Sequence, residues 1–434
     1  MKMNICFNNI RVISPSENID GIFNLHIVDG IIVSVSQDNI NVDTSTEIID
    51  ATGMIAAPGF IDIHTHLREP GQSHKETLQT GTSAAANGGF TEIVCMPNTT
   101  PAIDNTMIVE NLLYKTKNYL TKVHIAAAIT QERKGELLSN MHSLKEAGAL
   151  YFTDDGSCVS SANVMKNVFL YIADKNYLVA QHCEEHSLTK NFTMNESDVS
   201  MELGLIGYPV VAEEIIINRD IKLIEYYRNK NKETCRYHIQ HISTAGAVDI
   251  VRYAKIQGTR VSCEVTPHHL WFDDKKLLNY DANYKMNPPL RKPTDIAKLI
   301  EGLKDGTVDC IASDHAPHSS EECEQEFEKV PTGIVGLETS LGAILTLLHH
   351  KHNFSINEIV NLMSINPRKV VGLNSVHIEV GEKANLTIFS SNKEWVVDKN
   401  KFKSKGRNTP FDKAHFKGKP EYTFNNYQIW KCDL

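Results

Sequence analysis

The stretch that decides the fold is MIAAPGFIDIHTHLREPG, residues 54–71, in which an apolar run ends on His64 and His66. Such a run is typical of a strand buried on both faces. Side chains two positions apart on a strand point to the same side, so both imidazoles share one face. Two neutral imidazoles on one face suit Zn²⁺ or a similar divalent ion. By itself the pair fits a metal site and a hydrogen-bonded strand cap about equally well.

Further buried-strand patterns follow this one along the chain. They are Thr91–Met96, Lys122–Ile129, Ala149–Asp154, Leu178–His182, Tyr237–Ser243, Arg260–Val265 and Asp309–Ser313. Helical patterns lie between most of them, for example Lys75–Asn87, Ala162–Asp174 and Pro293–Lys304. With Met54–Thr65 as the first strand, this alternation predicts an α/β fold, a (β/α)₈ TIM-type barrel over residues 54–377. A doubly wound open sheet is the alternative, weakened because no G-x-G-x-x-G follows a strand.

Both ends of the chain show short strand patterns instead. They are Asn4–Ile13, Phe23–Val28, Ile31–Val35, Ala384–Ser390 and Glu394–Asp398. Asp29-Gly30 is a hairpin signal between two of them. We therefore expect a small β-sandwich domain built from residues 1–53 and 378–434, which brings the termini together.

Composition excludes several classes of protein. The 434 residues are 41% hydrophobic and 22% charged, which is typical of a folded chain. A net charge of −9 argues against nucleic acid or an anionic membrane as the main partner. No apolar run approaches the ~18 residues that span a bilayer, and MKMNICFNNI lacks the apolar region of a signal peptide. Nine scattered cysteines without a C-x-x-C pair favour a reducing compartment, so we expect a cytoplasmic protein.

More polar side chains close the predicted strands. His182 and His241 end the fifth and sixth strands, Asp154 and Asp155 end the fourth, and Asp314 ends the eighth. In a barrel these strand ends meet at one mouth, where active sites lie. Singly, each is more often an ordinary strand-end polar group; together they favour a metal site. Strand alternation cannot choose between the two adjacent aspartates, because neighbours point opposite ways and a strand can bend at its end.

Taken as a set, eight motifs make the sequence recognisable. GFIDIHTHLREPG, MPNTTP, FTDDG, AQHCE, QHIST, TPHHL, MNPPLR and ASDHAPH resemble those of the dihydroorotases, closest to the class I bacterial enzymes of the amidohydrolase superfamily. The motifs cover about residues 54 to 340, and NPRKVVGL and NTPF extend the likeness to about residue 411. The resemblance implies a zinc-dependent, reversible hydrolysis of L-dihydroorotate to N-carbamoyl-L-aspartate in de novo pyrimidine synthesis.

The resemblance also implies a site with two Zn²⁺ ions. His64 and His66 would hold one ion, His182 and His241 the other, and Asp155 would bridge them. Much of the superfamily bridges its metals with a carboxylated lysine on the fourth strand, which this sequence lacks. An aspartate is shorter than that lysine, so the motif alone does not establish that both positions fill.

The remaining site residues are likewise carried over from the family. Asp314 is expected to move the proton from the attacking water to the leaving nitrogen, with a role as third metal ligand as the alternative. The residues implied to bind substrate are His66, Arg68, Asn98, Asn287, His318, Thr332 and Gly333. Arg68 offers a planar fork for the substrate carboxylate. The family usually has Phe-Gly where this chain has Thr332-Gly333.

Two other functions remain open at this point. One is another cyclic amidase of the superfamily, an allantoinase or hydantoinase, which would not need the guanidinium of Arg68. The other is an inactive, dihydroorotase-like partner of aspartate transcarbamoylase, which should have lost the metal ligands. We expect a small-molecule substrate and a homodimer, and association with aspartate transcarbamoylase is possible. Residues 319–329 (SSEECEQEFEK) carry five glutamates and predict an exposed loop or short helix.

Overall fold

The computed structural model describes residues 3–231 and 235–434. The strands are β1 (Asn4–Ser14), β2 (Ile19–Val28), β3 (Ile31–Ser36), β4 (Glu47–Asp50), β5 (Met54–Pro58), β6 (Phe60–Thr65), β7 (Phe90–Cys95), β8 (Lys122–Ala127), β9 (Tyr151–Phe152), β10 (Leu178–Gln181), β11 (Met194–Asn195), β12 (Gly207–Tyr208), β13 (Arg236–Ile239), β14 (Val261–Val265), β15 (Cys310–Ile311), β16 (Leu386–Val396), β17 (His415–Asn425) and β18 (Gln428–Lys431). The α-helices are α1 (Leu78–Asn87), α2 (Thr106–Thr116), α3 (Met141–Glu146), α4 (Ala162–Ile172), α5 (Asp198–Leu203), α6 (Val211–Asn231), α7 (Ala245–Ile256), α8 (Pro267–Trp271), α9 (Pro293–Lys304), α10 (Ser320–Cys323), α11 (Ser340–Ile344), α12 (Ile356–Val360) and α13 (Asn366–Val371). Wider π turns at Leu345–Lys351 and Asn361–Ile365 continue α11 and α12.

A parallel barrel forms the centre of the molecule. Its strands run in the order β6-β7-β8-β9-β10-β13-β14-β15. A parallel bridge between Thr65 and His315 joins the last strand region to the first, and the His66 N–H donates to the His315 carbonyl at 2.8 Å. This closure confirms the predicted (β/α)₈ barrel and rules out the open sheet.

The barrel strands are buried on both faces, which explains their near-continuous apolar sequences. Side chains such as Ile61, Ile63 and Val94 fill the interior, and a second apolar cluster packs the strands against the surrounding helices. Among the residues that the structure describes, no helix is long and apolar enough to cross a membrane.

The strand predicted over Met54–Thr65 is in fact two strands in two different sheets. β5 pairs with β1 and β16, whereas β6 pairs with β7 in the barrel. The chain changes sheet at Gly59, where an added Cβ would come within 2.0 Å of Asn385 Oδ1 and 2.3 Å of Thr91 Oγ1. Because both strands are buried, the apolar pattern runs through the break and does not reveal it.

The second large sheet is built from both ends of the chain, as expected. Its order is β18-β17-β16-β5-β1-β2-β3, and β4 also pairs with β1. The Phe7 ring of β1 lies 5.8 Å from the Phe424 ring of β17, although two strands separate β1 from β17 within the sheet. Since neighbouring strands lie about 4.8 Å apart, this contact shows that the sheet folds over its own apolar core.

Two details of the predicted strands differ from the structure. Ala384–Ser390 and Glu394–Asp398 belong largely to the single strand β16, which pairs with β17 across an irregular register between Ser390 and Glu394. The fourth and eighth barrel strands, β9 and β15, keep only two paired residues each. Because the two strands end early, the acidic residues that follow lie beyond the last paired residues, at the barrel mouth.

Candidate active site

Asp155 lies between two histidines of the first barrel strand. His64 is the fifth residue of β6 and His66 follows its end. Asp155 Oδ1 is 3.3 Å from His64 Nε2, and Asp155 Oδ2 is 3.4 Å from His66 Nε2. All three side chains are buried. Both imidazoles therefore lie on one face of the strand and next to one carboxylate.

The same aspartate also faces the second histidine pair. His182 follows β10 directly, and His241 lies two residues beyond β13. Asp155 Oδ1 is 3.6 Å from His241 Nε2, which is 2.9 Å from His182 Nδ1. His241 has a positive φ of 32°, a strained conformation that such residues adopt mainly at functional sites. Asp155 therefore belongs to two groups, each with ligand atoms within 4.8 Å of one another.

Asp154 points away from the histidines. Its Oδ1 accepts hydrogen bonds from the N–H groups of Ile129 and Thr130 at 2.8 and 3.0 Å, and its Oδ2 accepts from the Thr130 hydroxyl. Burial raises the pKa of Asp154 to about 6 despite these donors. Around Asp155, by contrast, His64 and His241 outweigh the effect of burial and hold the pKa of that carboxyl well below its usual range. Adjacent aspartates therefore have separate environments.

Asp314 approaches the first histidine pair from the neighbouring strand region, which follows β15 and is bridged to the end of β6. Its Oδ1 lies 3.0 Å from His66 Nε2 and 3.6 Å from His64 Nε2. Burial raises the pKa of Asp314, but the two histidines outweigh it and lower the pKa below its usual range. A positive φ of 49° turns Asp314 toward this position.

Two glutamates that sequence reasoning missed support the histidines. Glu264 on β14 accepts from His64 Nδ1 at 2.6 Å, and its other oxygen is 3.2 Å from His238 Nε2. Glu184 accepts from His182 Nε2 at 2.8 Å. Carboxylates that hold the far nitrogen of a histidine fix its ring orientation and its tautomer.

The sequence carried a signal for both glutamates. Glu264 is an acid inside the apolar strand Val261–Val265, and Glu184 stands two residues after His182 in the motif AQHCE. A buried acid has to find a partner, so each could have been assigned to a histidine. The identity of each histidine partner could not be read from the sequence, because it depends on how strands far apart in sequence are arranged.

The donor set fits a divalent metal ion. His64 Nε2 and Asp155 Oδ1 are buried without a hydrogen-bond partner among the described residues. Unpaired buried polar atoms are costly in a native fold, and a cation placed between them would satisfy both. Imidazole nitrogens with a shared carboxylate are ligands that Zn²⁺ and similar ions accept.

A cavity of about 300 Å³ opens above these residues. It brings together the expected ligands, except His64, and every residue expected to bind substrate. Its lining is His66, Arg68, Asn98, Asp155, Gly156, His182, His241, Asn287, Asp314, Ala316, His318, Pro331, Thr332 and Gly333.

The expected substrate residues make specific contacts around this cavity. Asn98 Oδ1 accepts from His66 Nδ1 at 2.8 Å, and Asn287 donates to Glu184 at 3.0 Å. His318 Nε2 donates to the carbonyl of Thr332 at 3.0 Å. The two asparagines thus orient residues beside the histidine clusters in addition to lining the cavity.

Arg68 is held against the cavity wall by its backbone and by one nitrogen. Its φ is 63°, and its Nε donates to the Pro317 carbonyl at 3.1 Å. Burial lowers the pKa of Arg68, and the nearby carboxylates of Asp314 and Glu322 oppose that shift. A cationic fork therefore borders the same space as the histidine clusters.

Comparisons with known proteins agree with this geometry. A family model described as Dihydro-orotase-like matches residues 53–247. The chain is 41% identical over 419 residues to a dihydroorotase of Syntrophus aciditrophicus (strain SB), covering 96% of each chain. It is 44% identical over 404 residues to a dihydroorotase of Thermoanaerobacter sp. (strain X514), covering 93% of this chain and 92% of that one.

Solved structures with the same fold include a hydantoinase and a dihydropyrimidinase. An L-hydantoinase (dihydropyrimidinase) from Arthrobacter aurescens superposes with a TM-score of 0.85 at 23% identity, covering 100% of this chain and 97% of that one. A dihydropyrimidinase from Brevibacillus agri NCHU1002 gives a TM-score of 0.82 at 22% identity, covering 99% and 95%. At this identity the likeness shows a shared fold.

The barrel and the histidine-aspartate groups at its mouth define the class of protein, a (β/α)₈ barrel with a candidate metal site, whose fold it shares with solved hydantoinases. Near-full-length identity of 41–44% to named relatives narrows this class further. The chain belongs to the dihydroorotase family.

Proposed function

We propose that this chain catalyses the reversible hydrolysis of L-dihydroorotate to N-carbamoyl-L-aspartate, a step of de novo pyrimidine synthesis. One observation carries the proposal: Asp155 is shared by two histidine pairs in a cavity that Arg68 also lines. The chemistry needs metal ligands beside the amide and a cation beside the carboxylate. The relatives named dihydroorotase support this assignment over nearly the whole chain.

The metal is proposed to be Zn²⁺, with two ions per chain. His64 and His66 would hold one, His182 and His241 the other, and Asp155 would contact both. Zinc bound there would supply a nucleophile at neutral pH and polarise the amide carbonyl. Glu264 and Glu184 would keep the rings of His64 and His182 in the orientation that binding requires.

Asp314 is proposed as the proton carrier. It lies against the first histidine pair and borders the cavity, so it can reach both a water molecule there and the ring nitrogen of the substrate. In the forward direction Asp314 takes a proton from the attacking water and delivers it to the nitrogen as the C–N bond breaks. The reverse reaction uses the same group in the opposite sense.

Arg68 is proposed to bind the substrate carboxylate, with Asn98, Asn287 and His318 completing the binding surface. Thr332 and Gly333 would meet the ring through their backbone. The Gly333 N–H donates to the Lys285 carbonyl at 2.9 Å, and the Thr332 carbonyl accepts from His318. This wall is therefore held in place before substrate arrives.

The test is a metal-dependent assay of dihydroorotate hydrolysis on purified protein, with metal quantified in the same sample. We expect chelation to abolish turnover and Zn²⁺ to restore it, with close to two ions per chain at full activity. Full activity in metal-free protein would contradict the proposal. If the fully active protein holds one ion per chain, the proposed second metal ion is wrong but the proposed reaction stands.

Replacing Arg68 with Gln separates a dihydroorotase from a general cyclic amidase. A bidentate, charged contact is worth roughly 1.5–3 kcal/mol, or about 10–150-fold. We therefore expect kcat/KM for dihydroorotate to fall by at least about tenfold, with metal content unchanged. Activity on dihydrouracil, which has no carboxylate, should change far less. Wild-type protein that turns over hydantoin or allantoin as well as dihydroorotate would favour the other cyclic amidases.

The remaining expectations about this chain stay predictions. An inactive partner of aspartate transcarbamoylase should lack ligands, yet His64, His66, Asp155, His182 and His241 converge here. A homodimer, a cytoplasmic location and association with aspartate transcarbamoylase are the predictions that remain. Sedimentation of the purified protein, alone and with a transcarbamoylase, measures the first and the last.

A further inference from the structure

Lys285 is a buried lysine outside the residues assigned to the site so far. Its side chain is 3% exposed. Its ammonium donates to the carbonyls of Phe327, Glu328 and Val330 at 2.8, 2.9 and 2.7 Å. A lysine ammonium has three N–H donors, so each one has a carbonyl acceptor. Among the described residues no carboxylate pairs with it.

Apart from an edge contact between the Phe327 and Tyr280 rings at 5.6 Å, the segment that Lys285 holds is weakly anchored. Residues 324–329 are exposed or half-buried, and Val330 is the buried apolar residue of the stretch. Its charged pair, Lys329 with Glu326, is largely exposed and contributes little. Backbone carbonyls converging on a buried cation therefore fix the course of this loop.

The backbone of the same lysine also binds the end of the loop at Gly333. Its own carbonyl accepts from the Gly333 N–H at 2.9 Å. The active-site cavity is lined by Pro331, Thr332 and Gly333. These residues follow Val330, which the ammonium binds, and end at Gly333, which the backbone carbonyl of Lys285 binds. Pro331 and Gly333 also border a second cavity of about 380 Å³ outside it. The loop is thus a thin partition. Lys285 holds its first end with the ammonium and contacts its second end through the backbone, where Asn408 Nδ2 also donates to the Gly333 carbonyl at 2.9 Å.

We propose that Lys285 is a positioning residue that sets the substrate-facing wall Pro331–Gly333 of the active-site cavity. It acts through the loop and touches neither substrate nor metal ligands. The inference rests on the proposed function, because its main readout is turnover of dihydroorotate. Loss of the ammonium should loosen the wall and weaken substrate binding, while the histidine clusters on the strand ends stay as they are.

The test compares Lys285→Met with a matched control, Lys145→Met. Lys145 on α3 is half-buried and donates to the Leu150 carbonyl at 2.8 Å, before β9 and so at the end of the barrel opposite the mouth. The wall contacts substrate away from the histidine clusters, so loosening it removes binding that is the same in the ground and transition states. We therefore expect Lys285→Met to raise KM for dihydroorotate about tenfold or more. Its metal content should equal that of wild type, and kcat should fall much less than KM rises. Lys145→Met should leave KM unchanged.

Hydrogen–deuterium exchange supplies a readout independent of activity. Amides of residues 327–333 should exchange faster in Lys285→Met, whereas those of α9 should not change. Lys285→Arg, which keeps a cation and several donors, should restore part of the KM and of the protection. If Lys285→Met does not fold, Lys285→Gln takes its place with the same expectations.

Wild-type KM or unchanged exchange in the folded variant would overturn the inference. Loss of bound metal in Lys285→Met would also overturn it, and so would an equal rise in KM in Lys145→Met. Either result would indicate a general effect on folding. If wild-type protein does not hydrolyse dihydroorotate, the proposed function fails instead, and the exchange measurement still decides whether Lys285 holds the loop.

Discussion

Asp154 and Asp155 are neighbours in sequence with unrelated tasks. Asp155 faces both histidine pairs, whereas Asp154 binds the backbone of Ile129 and Thr130 one strand away. β9 ends at Phe152, so both residues lie beyond its last paired residue, and the chain enters a turn at Asp155. One carboxylate can then turn into the mouth while the other secures the loop after β8.

Asp155→Ala should lose metal and activity together, since it removes the group common to both histidine pairs. Asp154→Ala should keep its metal but unfold more easily, by about 1–3 kcal/mol, because two buried N–H groups lose their acceptor. Metal analysis and denaturant titration of both variants measure the difference. Metal loss confined to Asp154→Ala would exchange the two roles.

Asp314→Asn should retain metal but turn over poorly. An amide cannot carry the proton, and general acid–base catalysis contributes typically ~10²–10⁴-fold. The loss should fall mainly on kcat, because the missing interaction belongs to the transition state. A variant that loses its metal instead would make Asp314 a ligand first.

At this scale the sequence went far but not the whole way. Strand periodicity placed His64 and His66 on one face, and the motif set supplied the other site residues. Alternation could not separate Asp154 from Asp155, because that choice depends on the course of the chain beyond the last paired residue. Glu264 and Glu184 were missed because a side-chain partner on another strand leaves no periodic signal.

Gly59 marks the point where the chain passes from the terminal sheet to the barrel. Its N–H donates to the Asn385 carbonyl at 2.9 Å, and its carbonyl accepts from Ser364 at 2.9 Å. The side chains of Asn385 and Thr91 leave no room for a methyl group. Two elements of different sheets can approach this closely only where there is no Cβ.

Gly59→Ala should therefore destabilise the fold by about 1–3 kcal/mol, the usual cost of forcing a methylene into packed surroundings. Gly21→Ala on β2 is the control, because its nearest neighbour is the Phe23 ring at 3.2 Å, the end of a side chain that can move. Its effect should stay within about 0.5 kcal/mol. Equal unfolding free energies for the two variants would show that the junction adapts.

At the scale of whole elements, the sequence predicted helices and strands correctly where a single hydrophobic period ran the length of one element. The hairpin at Asp29-Gly30 and helix α9 lie where the sequence placed them. The junction within Met54–Thr65 was missed, because burial on both sides makes a continuous apolar run of two strands look like one. The lengths of β9 and β15 were overestimated, because buried or half-buried residues flank the paired ones: Ala149 and Leu150 precede β9, and Ala312 follows β15.

A buried ionic network ties the base of the barrel to the terminal sheet. Arg368 on α13 donates to Glu92 on β7 at 2.9 Å and to the Gly59 carbonyl at 3.2 Å. Asn385, just before β16, donates to the same Glu92 oxygen at 2.9 Å, and His124 is 2.6 Å from the other. Burial raises the pKa of Glu92, but His124 and Arg368 outweigh it and hold the pKa below its usual range.

Arg368→Met should cost about 3–5 kcal/mol of stability, because it leaves a buried carboxylate without its charged partner. The lowered pKa of Glu92 means that its stabilising contribution is present above its ordinary value of 4.5 and is lost as the pH falls toward the folded-state value. The difference in unfolding free energy between Arg368→Met and wild type should therefore become smaller at acidic pH.

Urea titrations of Arg368→Met at pH 7 and near pH 4 measure this change. Lys304→Met, which breaks an exposed ion pair with Glu358 at 2.7 Å, is the control and should cost less than about 1 kcal/mol. Two results would contradict a stabilising role for the network. One is a difference in unfolding free energy that does not change with pH, and the other is an equal loss of stability in the two variants.

The position of β5 between β1 and β16 has a consequence for the order of events on the ribosome. β1 pairs with β5 within the first 58 residues, but the other neighbour of β5 begins at Leu386. While the barrel is being translated, Met54–Pro58 remains an open edge that only the last part of the nascent chain can cover. Exposed edges of this kind recruit strands from other molecules. Polypeptides released early, before residue 386, should consequently self-associate more readily than the finished chain.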